Sequence, residues 1–238
     1  MLLWITAALA HPCDDITLEE ILEQPAPAVV VLGERHGHKS DMQRAYRVVD
    51  GLQDSGAPVT LAIEAVHEDN QSVLDAFAAG EFGKGKLPKK LRWSETWGFA
   101  WKPYKKLVSA DKQGVRVVAA GLTLGPKPEE REVEIPEGYD AFLMEIMGAH
   151  AHAMKPEMKA RFSTSMAWRD FRIAELAAEG WSGEGYLVIL TGRGHVEGSM
   201  GTNWQLAKIP AIGETPVVSA VLDHDSARCL EGDRVWAD

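Results

Sequence analysis

Two stretches of the chain place ionisable side chains directly after an apolar run. They are Val29-Val30-Val31-Leu32-Gly33-Glu34-Arg35-His36-Gly37-His38 and Tyr186-Leu187-Val188-Ile189-Leu190-Thr191-Gly192-Arg193-Gly194-His195. Aliphatic runs of this length that break at a glycine read as buried strands leaving a sheet. Both carry Gly-x-x-His at the exit, and a third run, Val59-Thr60-Leu61-Ala62-Ile63, stops at Glu64. Neighbouring strands lie about 4.8 Å apart. If these runs are parallel, Glu34, His36, Glu64 and His195 meet at the carboxyl rim of the sheet, the edge at which open α/β sheets bind ligands.

Two kinds of chemistry suit that set. Glu34, His36, Glu64 and His195 supply the mixed imidazole and carboxylate donors of a divalent metal site, where an open position would hold a water of lowered pKa. Alternatively His36, Glu64 and His195 form a metal-free acid/base device, a carboxylate orienting the imidazole that activates water. Arg35, Arg44 and Arg193 are placed to bind an oxyanion or a substrate carboxylate. A lone histidine after a strand also serves as a loop anchor, and His38 and His67 are read that way.

Two further groups suit iron or copper. Met144, Met147, His150, His152, Met154 and Met158 crowd one segment, and thioether with imidazole favours copper or haem iron. Methionines at helical spacing are also ordinary core filler. Trp93, Trp97, Phe99, Trp101 and Tyr104 form an aromatic cluster, either a wall for a flat macrocycle or a secondary core. Tyr104, His150 and His152 are the candidate haem ligands, Tyr104 as phenolate.

The elements that must hold these residues follow from periodicity. Strands are expected at Ala28–Leu32, Val59–Ile63, Val115–Ala120, Tyr186–Leu190 and Val217–Val221, with Val235-Trp236 as an added edge. Helices are expected after Asp15 as cap, from Ser40, over Tyr104–Asp111, over Tyr139–Met147, over about Pro156–Gly180 and within Gly201–Ala207. Strands alternating with helices predict an α/β fold, a mainly parallel central sheet of about five strands flanked by helices. Residues 1–27 read as a signal-like arm with a short helix, and 28–238 as a single domain.

At 238 residues the chain can bury a real core. A formal net charge of −10 argues against a surface made for nucleic acid or anionic lipid, leaving small molecules, metals or proteins as partners. Cys13 and Cys229 stand near opposite ends, either a terminal staple or two idle thiols. The apolar start ends in Ala8-Leu9-Ala10, the small-x-small pattern of a secretory cleavage site, so export is expected, with a cytoplasmic protein as the alternative.

Gly33-Glu34-Arg35-His36, Ile63-Glu64, Trp101-x-x-Tyr104, Ala167-Trp168-Arg169-Asp170 and Gly192-Arg193-Gly194-His195, in this order and spacing, resemble the ChaN-like family of bacterial haem-binding lipoproteins. That family is similar in turn to the Tiki and TraB proteases and the erythromycin esterases. The resemblance covers roughly residues 28–221. It implies an exported α/β protein of the cell envelope that binds haem for iron uptake, with tyrosine as an iron ligand, and whose membrane contact is a lipid anchor. It also implies a hydrolase-like site at His36, Glu64 and His195, acting on a peptide or ester. Haem binding with a role in iron uptake is the leading expectation. A metal-dependent or His/Glu hydrolase is the second, a copper or other metal carrier the third, and self-association stays open.

Overall fold

The structure, a computed structural model, describes residues 13–122, 133–148, 154–223, 227–230 and 232–237. Seven strands form one parallel sheet: β1 (Asp14–Ile16), β2 (Ala28–Glu34), β3 (Val59–His67), β4 (Arg116–Gly121), β5 (Tyr186–Gly192), β6 (Val217–Val221) and β7 (Arg234–Trp236). Their spatial order is β1-β7-β6-β2-β5-β3-β4. Five of them are the expected strands. β7 contains the expected Val235-Trp236 but lies between β6 and β1 rather than at an edge, and β1, the three-residue edge strand within the segment read as an arm, is too short to show a period.

Among the described residues the α-helices are α1 (Leu18–Leu22), α2 (Lys39–Asp54), α3 (Gln71–Ala78), α4 (Leu87–Lys90), α5 (Trp93–Thr96), α6 (Trp101–Val108), α7 (Tyr139–Met147), α8 (Pro156–Gly180) and α9 (Thr202–Leu206). The first helix is capped by Thr17 in a capping box with Glu20, not by Asp15, which is drawn into β1. Helix α6 starts at Trp101 and ends at Val108, so the aromatic residues reach into its first turn.

The continuous apolar runs are explained by burial on both faces. Alternate residues of β2 and β5 point to opposite sides: Val30, Leu32, Val188 and Leu190 pack with Met42, Val48 and Leu52 of α2 and with Leu107 of α6. Val29, Val31, Leu187 and Ile189 pack with Ile173, Ala174 and Ala177 of α8. A smaller cluster joins Tyr139, Phe142 and Leu143 of α7 to Ala167 of α8. Cys13 and Cys229 form a disulfide that ties the entrance of β1 to the segment before β7. Among the described residues no helix is long and apolar enough to cross a membrane.

Candidate functional site

Register decides whether the two Gly-x-x-His turns can meet. β2 and β5 are direct neighbours, with Gly33 opposite Thr191 and Glu34 opposite Gly192. β3 flanks β5 on its other side, paired up to Ile63 with Leu190. Glu64 therefore comes just after the last paired residue, where β3 bulges before His67 rejoins β4 at Gly121. All four residues leave the same rim.

Two linked groups result. In the first, Glu34 is buried and its Oε1 lies 2.8 Å from His36 Nδ1. The Tyr104 hydroxyl donates to the same oxygen at 2.9 Å and accepts from the Gly37 N–H at 2.8 Å. Glu34 Oε2 is buried with no hydrogen-bond partner. Burial raises the Glu34 pKa, opposed in part by the hydrogen bonds from His36 and Tyr104. Burial works against charge on His36 too, but the carboxylates of Glu34 and Glu64 outweigh it and its pKa rises. His36 keeps a 31% exposed side chain and packs edge-on against Trp97 with ring centroids 4.7 Å apart.

In the second group, Glu64 Oε1 accepts from Arg169 at 2.8 Å, and its Oε2 accepts from the Thr191 hydroxyl at 2.7 Å and the Gly192 N–H at 2.8 Å. His195 lies with Nε2 3.5 Å from Glu64 Oε1 and Nδ1 2.7 Å from Asp170 Oδ1. The Tyr139 hydroxyl donates to Asp170 Oδ2 at 2.5 Å. Burial opposes the charge on His195, yet Glu64 and Asp170 hold its pKa up at about 10. Burial likewise opposes charge on Glu64, and His195, His36 and Arg169 overcome it, so its pKa falls well below the carboxylate norm. At neutral pH His195 is thus an imidazolium fixed between two carboxylates. It supplies charge rather than a free base.

Gly192 is the point of contact between the groups. A Cβ there would stand 2.8 Å from His36 Cε1, 3.0 Å from His36 Nε2 and 3.6 Å from Glu64 Oε2. The missing methyl lets the imidazole of one turn lie against the backbone of the other. The half-open, Glu34-backed His36 is the group able to exchange a proton with a bound molecule, above a buried and charge-compensated floor.

The expected metal set does not take shape here. Among the described residues no three His, Cys, Asp or Glu side chains are grouped to hold a metal ion. The physical reason is that both oxygens of Glu64 are already hydrogen-bonded and the Arg169 guanidinium occupies the place a cation would take. Arg35 is turned away, bound to Asp41 at 3.0 Å and Asp223 at 2.9 Å. Arg44 donates to the Leu222 carbonyl at 2.7 Å, and Arg193 lies 3.8 Å from Glu197 and 3.8 Å from Asp223. His67 accepts from the Asp69 N–H as a helix cap, and His38 is the exposed residue that precedes α2.

Of the three candidate haem ligands, His150 and His152 lie outside the described residues. Tyr104 is fully buried, with its hydroxyl between Glu34 and Gly37, and burial beside the Glu34 carboxylate raises its pKa. It is closed to an iron atom in this arrangement and acts as the brace of the Glu34–His36 pair. Tyr139 and Tyr186 are buried as well, whereas Tyr46 is half-buried on the wall of a groove between α2 and α6. In the methionine-rich segment, Met144 packs on the α7–α8 cluster and Met158 is exposed.

Asp170, Arg169, Tyr139 and Thr191 were given no role from sequence. Asp170 did leave a signal: in the helical series Phe162, Met166, Asp170, Ile173 it is a charge in the middle of the apolar stripe.

The family model described as haem-binding uptake, Tiki superfamily, ChaN matches residues 23–125 and 123–206. The chain belongs to this family. Among solved structures it is similar to ChaN of Campylobacter jejuni, described as binding haem cofacially, with a TM-score of 0.65, 19% identity and coverage of 88% of this chain and 85% of that one. It is also similar to the type III effector HopBA1, with a TM-score of 0.57, 14% identity and coverage of 93% and 91%. The C-terminal region of Pasteurella multocida toxin, described as carrying a thiol-protease-like catalytic triad, gives a TM-score of 0.53, 16% identity and coverage of 93% and 27%. At these identities the likeness establishes a common fold. No curated protein matches the chain.

Proposed function

We propose that this ChaN-family chain binds haem and serves iron uptake at the cell envelope. The observation that carries the reading is membership of the haem-binding uptake family over residues 23–206, a span that includes the rim and both of its histidine turns. The Cys13–Cys229 disulfide supports the setting, because such bonds persist in oxidising compartments. Bound haem would supply an iron centre with open coordination positions and two carboxylates. On this chain, side chains of suitable chemistry outside the core are the His36 imidazole, the Tyr46 phenol and the lysines and arginines of α2 and α6. The test is the haem content of the full chain purified from haem-replete cells, measured as pyridine haemochrome. Near-stoichiometric haem is expected, and protein that emerges haem-free and stays so on incubation with haemin overturns the reading.

A second reading rests on the rim itself, where His36 backed by Glu34 stands beside an imidazolium and a guanidinium. That arrangement suits water attack on an ester or peptide: His36 would take the proton from water, and the fixed cations would favour developing negative charge. Turnover of a chromogenic ester, lost in His36→Ala and retained in His38→Ala, would support it. Equal rates in the two variants would remove it.

A further inference from the structure

The groove between α2 and α6 has a chemistry of its own. It encloses about 760 Å³, within the roughly 300–1,000 Å³ of sites that hold a compact ligand. Lys39, Arg44 and Arg47 line it from α2 and Lys102 and Lys106 from α6, and none of the described residues lining it is acidic. Among the described residues no carboxylate forms an ion pair with Lys39, Arg47, Lys102 or Lys106, and α6 contains no acid. Five cations thus stand around one depression of a chain whose formal net charge is −10. Their mutual repulsion falls when an anion enters between them.

The rest of the lining suits oxygen rather than carbon. Ser40 and Gln43 add neutral hydrogen-bond donors. Met42 is 2% exposed, and Lys106 covers a face of the Tyr46 ring, its Nζ 4.2 Å from the ring centre, so a flat apolar ligand finds little to rest on. Both guanidiniums are held in place: Arg44 donates to the Leu222 carbonyl at 2.7 Å, and Arg47 lies 5.7 Å from the ring centre of Trp236. A held guanidinium loses less freedom when it grips a phosphate. Lys39 and Arg47 are eight positions apart on α2, about 12 Å along the axis, a span that one phosphate group does not cover. At the Lys39 end the groove meets the first turn of α2, which has no side-chain cap and whose dipole favours negative charge.

We propose that this groove binds a small soluble polyphosphate, a molecule whose two or more linked phosphate groups lie along α2 between the cations of the two helices. Arg44 and Arg47 take phosphate oxygens with their forked N–H groups, Lys39, Lys102 and Lys106 supply point charges from both walls, and Ser40 and Gln43 donate to the oxygens that remain. An extended anionic surface such as a membrane would meet the repulsion of the whole acidic chain. A small ion inside the groove meets chiefly the charges within a Debye length of about 8 Å, and those lining it are positive. The inference does not rest on the haem reading, and either can fail alone.

The test is calorimetric titration of the full chain with sodium tripolyphosphate and, at matched ionic strength, with inorganic monophosphate. Tripolyphosphate is expected to saturate at one per chain and to raise the melting temperature, as any ligand of the folded state does. Monophosphate should bind about tenfold more weakly or worse, the worth of one lost charge-assisted hydrogen bond. Lys39→Glu combined with Lys102→Glu should weaken tripolyphosphate by about tenfold or more. Lys84→Glu combined with Lys89→Glu makes the same change in net charge at exposed positions outside the groove and should leave the affinity within about twofold. Unchanged melting curves of the ligand-free variants separate lost binding from lost folding. Equal weakening in the two double variants would mean a diffuse response to charge and would overturn the groove as the site. Absence of saturation by tripolyphosphate would overturn the proposal outright, and so would binding to phosphatidylglycerol vesicles that tripolyphosphate does not compete away, which would make this face a membrane contact instead.

Discussion

His195 sets the electrostatics of the rim, and its behaviour has a definite pH signature. Its pKa is raised to about 10 in the folded chain, from an unfolded value near 6.5. A raised pKa contributes stability that is fully present below about pH 6.5 and is lost as pH climbs through about 10. The melting temperature of the native chain should therefore fall between pH 7 and pH 10 more steeply than that of His195→Gln, and parallel curves would contradict the buried imidazolium. Glu64 has the opposite sign: its depressed pKa gives stability present at neutral pH and lost only as the solution becomes strongly acidic. Glu64→Gln leaves Arg169 and His195 short of their counter-charge, which costs about 3–5 kcal/mol for a buried pair. For a chain of this size that lowers the melting temperature by roughly 6–20 °C. Gly192→Ala tests the meeting of the two turns. The backbone there has φ −60°, so the added methyl strains nothing locally; it crowds the His36 ring and touches Glu64 Oε2 only at ordinary contact distance. We expect a stability loss of about 1 kcal/mol and a fall of the His36 pKa toward its ordinary value, followed by NMR of the ring protons. An unshifted titration would mean that the turns do not touch.

Among the elements, β5 does the most to assemble the site. It lies between β2 and β3 and so brings together residues that are 30 to 161 positions apart in the chain, from Glu34 to Glu64 to His195. The strands were legible because burial on both faces demands unbroken β-branched and aliphatic runs, and the rim was legible because ionisable residues halt those runs abruptly. What sequence could not show was who pairs with whom. Tyr104 looked like a free phenol in an aromatic cluster, yet its place on the inner side of α6 buries it against Glu34. Asp170 is near in space to His195 and 25 residues away in sequence, and only the packing of α8 on the sheet brings them together. Helix α2 was legible by its apolar stripe, whereas its basic outer stripe gains meaning only beside α6. Of the two terminal strands, β7 was expected from Val235-Trp236 and β1 was missed for want of length, and the disulfide ties the two ends together. The Cys13–Cys229 bond closes a span of 216 residues, for which chain entropy gives up to about 5 kcal/mol. Reduction should lower the melting temperature by roughly 10–20 °C. No change on reduction would mean that β1 and β7 hold without it.

The molecule as a whole carries, on one ChaN-family fold, a buried acid/base cluster at the carboxyl rim and a basic groove across α2 and α6. Glu64→Gln is expected to destabilise the fold without changing the affinity of the remaining folded protein for haemin. The central claim is that the chain takes up haem, and equilibrium titration of the purified full chain with ferric haemin measures it most directly. A Soret band that shifts and saturates at a fixed ratio of haem to chain is the predicted result. A spectrum that stays that of haemin in buffer, with absorbance rising without limit as more is added, would contradict it.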